Sequence, residues 1–137
     1  MRQPVAGLTY QGKPRTHGFR LSWMDAVVIV LGVVASALAY ISIGDAGLFI
    51  PFVVAHFFLF CNVFRIRRSP EIAWAVIFLL NCGLWVFFGV VSVYGICASQ
   101  LPVTLCILAI EIRKPHYHGV FARHLNPRLA DYLNGRL

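Results

Sequence analysis

The chain has 137 residues, of which 59% are hydrophobic and only 12% are charged, with a formal net charge of +7. A soluble domain carries roughly 25% charged residues, so this composition excludes an ordinary water-soluble core and favours a protein whose solvent is lipid. The 12 Lys and Arg residues lie only in the N-terminal tail, at 65–68 and in the C-terminal tail, which excludes nucleic acid as the partner and indicates basic segments held against anionic headgroups on one side of a membrane.

The N-terminal region contains a tail and then the first predicted helix. Residues 1–21 show no hydrophobic periodicity and are predicted to form a mobile, basic cytoplasmic tail. Ser22 and Asp25 have the spacing of a capping box, which predicts a helix near 24–43. Because the apolar run continues past the cleavage-like triplet 37–39, an uncleaved anchor is preferred to a signal peptide.

The second predicted helix returns across the membrane. Residues 44–47 form a short polar turn, and the apolar run at 48–66 then holds Pro51 in its first turn, where a missing N–H costs little. Arginines end this helix, and Ser69 followed by Pro70 is typical of an N-cap and first helical position. Trp74 is predicted to anchor the third helix at the membrane interface.

The stretch from Ile72 to Ile112 is too long for one crossing and contains a single charge, Glu111. Its weakest helical segment lies between Tyr94 and Pro102, so the turn is predicted there, with helices near 70–93 and 97–113. Four crossings place every basic cluster on one side, as the positive-inside bias requires, whereas three crossings do not.

The sequence therefore predicts an all-α membrane protein with four transmembrane helices in an up-down bundle with short turns. The transmembrane domain covers 22–113, and 114–137 form a second basic cytoplasmic tail with a short amphipathic segment. In that tail Asn126 and Pro127 resemble a helix start and Gly135 a helix stop. The apolar face of this segment is predicted to lie on the headgroups, with partner docking as the alternative.

Polar residues inside the bilayer are expensive and mark candidate functional positions. His56 and Asn81 lie at similar depth on the predicted second and third helices, and Ser36 and Thr104 lie near the middle of the first and fourth. We expect one polar layer at the midplane. Interhelical hydrogen bonding is the favoured role, and a substrate, quinone or proton site centred on His56 is the alternative.

Cofactor and metal sites are not predicted. Haem within one chain needs two axial ligands, and the membrane region holds one histidine, so haem or quinone remains only an alternative. Acid and imidazole groups near the end of the fourth helix lack a metal motif and are interpreted as solvated interfacial residues. These groups are Glu111, His116, His118 and His124.

The predicted function is that of a small polytopic inner-membrane protein, a non-catalytic accessory or scaffold subunit of a larger membrane assembly. A membrane enzyme, carrier or cofactor-binding module using His56 and Asn81 is the alternative. Both termini are predicted to be cytoplasmic, and the partner is either another membrane protein or a second copy. Headgroup or partner contact is assigned to seven basic side chains, namely Arg65, Arg67, Arg68, Arg113, Lys114, Arg123 and Arg128.

Overall fold

The computed structural model describes residues 9–10 and 13–136. Two short strands, β1 (Thr9–Tyr10) and β2 (Lys13–Pro14), pair antiparallel, and the other elements are helical. In chain order these are α1 (Trp23–Ile43), a 3-10 turn (Gly44–Leu48), α2 (Phe49–Phe58), a π-helical turn (Leu59–Val63), α3 (Arg68–Phe87), α4 (Val93–Glu111), α5 (Ala122–Leu125) and α6 (Leu129–Leu133).

Three helical stretches among the described residues are long and apolar enough to cross a membrane. They are Trp23–Val63, Arg68–Phe87 and Val93–Glu111, with 41, 20 and 19 residues. This confirms the predicted class, a helical chain with the composition of an integral membrane protein.

The first of these stretches folds back on itself as an antiparallel hairpin of α1 and α2. At its closed end, the Ser36 hydroxyl donates to the Gly47 carbonyl at 3.2 Å. Midway, a Cβ added at Gly32 would lie 3.3 Å from a Val54 methyl carbon. At its open end, the Arg20 N–H donates to the Asn62 carbonyl at 3.1 Å. The contacts therefore pair the two arms along their whole length.

Two of the three predicted features at helix starts are confirmed. The Asp25 carboxylate accepts from the Ser22 N–H at 2.6 Å, and Ser22 Oγ accepts from the Asp25 N–H at 3.3 Å, which completes the capping box. Pro51 lies in the first turn of α2. The predicted start at Ser69 is wrong, because α3 begins at Arg68. Pro70 is still in the first turn, where its missing N–H is tolerated.

The turn between α3 and α4 lies at 88–92, earlier than predicted. Gly89 adopts a φ of 70°, the left-handed conformation that commonly follows a helix end. Ser92 then caps α4 by accepting from the Gly95 N–H at 3.1 Å. Gly95 lies in the first turn of α4 with its Cα against the Trp85 ring, where an added Cβ would lie 2.9 Å from Cζ3. Packing against an aromatic ring, which sequence spacing does not show, places the turn.

The arginines at 65–68 mark one end of the helices, which is called the basic end. Residues 113–136 fold back onto this end and are called the cap. Tyr117, Ala122 and Leu129 form its buried cluster, against which Phe64 and Ile112 pack. Asn126 holds the cap together, because its Nδ2 donates to the carbonyls of Pro115 and Tyr117 at 2.8 and 2.7 Å. Leu129 of the apolar face of α6 is therefore buried against protein, with Tyr132 and Leu133 packed beside it. Contact of this segment with lipid headgroups stays a prediction.

Residues 15–20 of the N-terminal tail make hydrogen bonds to this cap and to Arg65. Gly18 N–H donates to the His118 carbonyl at 2.9 Å, and Arg15 Nη1 donates to the Tyr132 carbonyl at 2.9 Å. Arg65 Nη1 donates to the Thr16 carbonyl at 2.9 Å. Residues 15–20 of the predicted tail thus contact the cap and Arg65. The mobility of the tail stays a prediction, and its portion at 1–8 and 11–12 lies outside the described residues.

Candidate functional site

His56 lies in an aromatic environment between α2 and α3. Its Nδ1 is 2.8 Å from the Phe52 carbonyl, and because a carbonyl only accepts, Nδ1 carries the hydrogen. The imidazole stacks on the Trp74 indole with 4.6 Å between ring centroids and an interplanar angle of 19°. The ring centroids of Phe52 and Phe60 lie 4.3 and 6.1 Å from the imidazole centroid. The imidazole is therefore packed as part of the core.

Trp74 joins His56 to the second predicted site residue, Thr104. The indole is only 4% exposed, so the prediction of an interface anchor is wrong. Its Nε1–H donates to Thr104 Oγ1 at 2.9 Å, and Thr104 Oγ1 donates in turn to the Gln100 carbonyl at 3.3 Å. A buried indole needs such an acceptor, because an unpaired N–H in an apolar core is costly.

Asn81 bonds to α4 and not to His56. Its Nδ2 donates to the Ile96 carbonyl and Ser99 Oγ at 3.0 Å each, and to Gln100 Oε1 at 3.3 Å. Gln100 is fully buried, and its Nε2 donates to the Trp74 carbonyl at 3.3 Å. These bonds link α3 and α4 through a polar network, called the midplane network because its members lie towards the middle of the two helices. It is formed by Trp74, Asn81, Ser99, Gln100 and Thr104.

The predicted polar layer is thus divided. Asn81 and Thr104 meet through Gln100, His56 touches this network only through the Trp74 ring, and Ser36 is used in the turn of the α1–α2 hairpin. Sequence reasoning missed Gln100, although it lies one turn before Thr104 on the same helix face. The donors and acceptors of the midplane network are used in hydrogen bonds between α3 and α4. Such interhelical bonds each stabilise a membrane protein by about 0.6–2 kcal/mol.

A larger site lies at the basic end, where a cleft of about 1320 Å³ opens between α2, α3, the N-terminal tail and the cap. This surface is called the basic cleft. Its walls combine arginines, two carboxylates, imidazoles and apolar side chains. The side chains that define it are Arg15, Arg20, Arg65, Arg67, Arg68, Glu71, Glu111, His116, His118, Tyr132, Phe57, Cys61, Ile72 and Ala75.

Burial, and after it neighbouring positive charge, shifts the pKa values of the groups in the basic cleft. Burial lowers the pKa of His116, and Arg67 lowers it further. The pKa of His118 is also lowered, first by burial and then by charges that include Arg65. Desolvation lowers the pKa of Arg65 itself, with a further contribution from Arg20. Burial and the arginine charges therefore favour the neutral form of both imidazoles, and the arginines carry the positive charge.

The two carboxylates of the basic cleft already have partners. Glu111 is buried and forms an ion pair with Lys114. Glu71 accepts from the Cys61 thiol, whose sulfur lies 3.6 and 3.7 Å from its two oxygens. His116, His118 and His124, the other members of the predicted acid and imidazole group, do not form a metal-ligand arrangement with Glu111. Over the described part of the chain, no three His, Cys, Asp or Glu side chains are placed to hold a metal ion.

The seven basic residues predicted to make headgroup or partner contacts occupy different environments. Arg65 is partly buried and bonds to Thr16, and Lys114 pairs with Glu111. Arg123 is exposed, and its Nε donates to His17 Nε2 at 2.8 Å. The remaining four are exposed at the basic end, namely Arg67, Arg68, Arg113 and Arg128.

Comparison of the chain with protein-family models, with curated proteins and with solved structures finds no match in any of the three. Function is therefore inferred from the geometry of the midplane network and the basic cleft.

Proposed function

We propose that the chain crosses a bacterial inner membrane four times, with both termini in the cytoplasm. The α1–α2 hairpin supplies two crossings, and α3 and α4 supply one each. The proposal is supported by the gathering of the N-terminal tail, the 65–68 loop and the cap at one end of the helices. Positive charge is retained on the cytoplasmic face during insertion, so this end is the cytoplasmic one.

Reporter fusions test the four-crossing topology. A reporter that is active only in the cytoplasm is expected to be active when fused after Leu137. A reporter that is active only in the periplasm is expected to be active when inserted between Asp45 and Ala46. The physical reason is that the basic end resists translocation whereas the 44–47 turn carries no basic residue. A periplasmic C-terminus would contradict the four-crossing proposal.

We propose further that this protein is a non-catalytic accessory or scaffold subunit of a membrane assembly. The observation that carries this proposal is the internal use of the midplane polar groups, which bond to one another across α3 and α4. A midplane site for chemistry would instead keep polar groups directed at a ligand. Ser99 bonds to Asn81 and is exposed on α4, so this small residue leaves room for a neighbouring helix to approach closely.

Co-purification tests the subunit proposal. Protein tagged after Leu137 and extracted in mild detergent is expected to carry a stoichiometric partner, either a second copy or another membrane protein. Ser99→Phe is expected to reduce the recovered partner about fivefold, because a bulky ring prevents close helix approach at a polar contact. Leu31→Phe, on the exposed face of α1, is the matched control and is expected to retain the partner.

Two outcomes would count against the subunit proposal. One is recovery of a monomer alone under mild extraction. The other is equal partner recovery with the Ser99→Phe and Leu31→Phe variants, which would remove the α3–α4 face from the interface.

A further inference from the structure

We propose that the basic cleft is a binding site for the phosphate group of an anionic phospholipid, with the acyl chains leaving the cleft between α2 and α3. A lipid headgroup and free phosphate share the chemistry that the site recognises, namely phosphate oxygens held by guanidinium groups. The lipid source is favoured over free phosphate because the cleft continues from charged to apolar walls.

Three arginines of the basic cleft, Arg20, Arg67 and Arg68, have positive charge available to a ligand. Its lining includes five arginines and two glutamates, and one of those glutamates is paired with Lys114. The two ion pairs among the described residues are Lys114–Glu111 and Arg136–Asp131, so Arg20, Arg67 and Arg68 are not paired with a carboxylate there. A guanidinium presents two parallel donors that match phosphate oxygens, so such arginines favour phosphate over a simple counterion.

Among the described residues, His116 adds an imidazole with an unpartnered ring nitrogen to the lining of the basic cleft. His116 lines the basic cleft, and its Nε2 is buried without a hydrogen-bond partner among the residues that the structure describes. Leaving such an atom unpaired is energetically unfavourable. A phosphate oxygen is an acceptor for an Nε2–H, and Arg67 lies close enough to influence the same imidazole. Arg67 and His116 thus provide a charge and a donor on one side of the cleft.

The helical register of the walls explains the preference for an amphiphile. On α3, Arg68, Ile72 and Ala75 lie on successive turns, and all three line the basic cleft. The opposite wall is formed by Arg65, Cys61 and Phe57. Here too the arginine comes first and an apolar side chain last, although the chain runs in the opposite direction. Phe57 and Ile72 are 48% and 57% exposed. The basic cleft thus has arginines at one end and exposed apolar side chains at the other. A lipid presents its phosphate and acyl chains in the same order.

Native mass spectrometry of the full-length protein in neutral detergent tests the proposal. Phosphatidylglycerol is expected to be retained at least about tenfold better than phosphatidylcholine, because only the former carries net negative charge. Inorganic phosphate at the same concentration is expected neither to form a retained adduct nor to displace phosphatidylglycerol. The double variant Arg67→Gln/Arg68→Gln is expected to lower phosphatidylglycerol retention about tenfold.

The matched control is the double variant Arg113→Gln/Arg128→Gln, which removes the same charge from exposed positions outside the basic cleft. It is expected to change retention less than about twofold. Ala75→Phe fills the apolar wall without altering charge or membrane orientation, and is expected to lower retention about fivefold. Equal retention of phosphatidylcholine, displacement by inorganic phosphate, equal losses in both double variants, or full retention by Ala75→Phe would each overturn the proposal.

Discussion

Replacing Gly119 with alanine is expected to detach the cap from the helices. An added Cβ would overlap the Phe64 carbonyl oxygen, and would lie 2.6 Å from the Phe64 carbonyl carbon and 2.7 Å from Tyr117 Oη. Backbone cannot move aside here, because the Val120 N–H donates to the Val63 carbonyl at 2.9 Å. Overpacking of this kind costs about 1–3 kcal/mol, which corresponds to roughly a 5- to 150-fold larger open population.

Limited trypsin digestion of purified protein measures this opening, because cleavage at Arg123 and Arg128 follows the population of the open cap. The Gly119→Ala variant is expected to be cut at least about tenfold faster than wild type. Gly83→Ala is the matched control, since a Cβ there meets no atom within 4 Å. A Gly119→Ala variant that resists trypsin as wild type does would mean that the cap does not dock on Phe64.

Replacing Trp74 with alanine is expected to give the largest loss of stability in the membrane domain. The indole stacks on His56 and on Phe78, with 5.4 Å between the Trp74 and Phe78 ring centroids, and its Nε1–H donates to Thr104. The substitution removes these ring contacts and leaves a cavity between α2, α3 and α4. Core Trp→Ala substitutions cost about 3–5 kcal/mol.

Unfolding of the purified protein by increasing amounts of SDS in mixed micelles measures this loss. Trp23→Ala is the matched control, because Trp23 is 80% exposed whereas Trp74 is 4% exposed. The control is expected to unfold within about 0.5 kcal/mol of wild type. Equal midpoints for the two variants would show that Trp74 is not the centre of the helix packing.

The difference between Trp74 and Trp23 shows how far sequence reasoning reaches in a membrane protein. Both lie near a helix start after a polar segment, and both are typical of an interfacial anchor. Only the neighbours distinguish them, since Thr104 from α4 accepts from the buried indole. Hydropathy reveals that a segment is compatible with lipid, but it does not reveal which face meets another helix. Gln100 was missed for the same reason.

Local signals were more informative than long-range ones. The capping box of Ser22 and Asp25 depends on residues three apart, and it was predicted correctly. The turn at 88–92 depends on Gly95 fitting against Trp85, and the prediction placed it too late. The cap depends on contacts between residues more than fifty positions apart, such as Val63 with Val120. A basic segment with a short apolar face has the same pattern whether it packs on lipid or on protein.

The basic cleft was predicted only in its parts. The arginines at 65–68 and the histidines of the C-terminal tail were each recognised as an interfacial group. Their convergence requires the reversal after α2, where Arg65 adopts a φ of 50°. That left-handed conformation costs a non-glycine residue about 1–2 kcal/mol, so no propensity predicts it. The Arg65 hydrogen bond to the Thr16 carbonyl is one tertiary contact that holds it.

His56→Gln tests most directly the proposal that the midplane polar residues build the fold and perform no chemistry. Glutamine supplies a donor that can replace the Nδ1–H bond to the Phe52 carbonyl, but it has no group that titrates near neutral pH. The measurement is membrane abundance together with complementation of a deletion strain, with His56→Leu as the variant that removes the hydrogen bond. We expect His56→Gln to show normal abundance and full complementation. Normal abundance with lost complementation in both variants would contradict the claim and assign His56 to catalysis or cofactor binding.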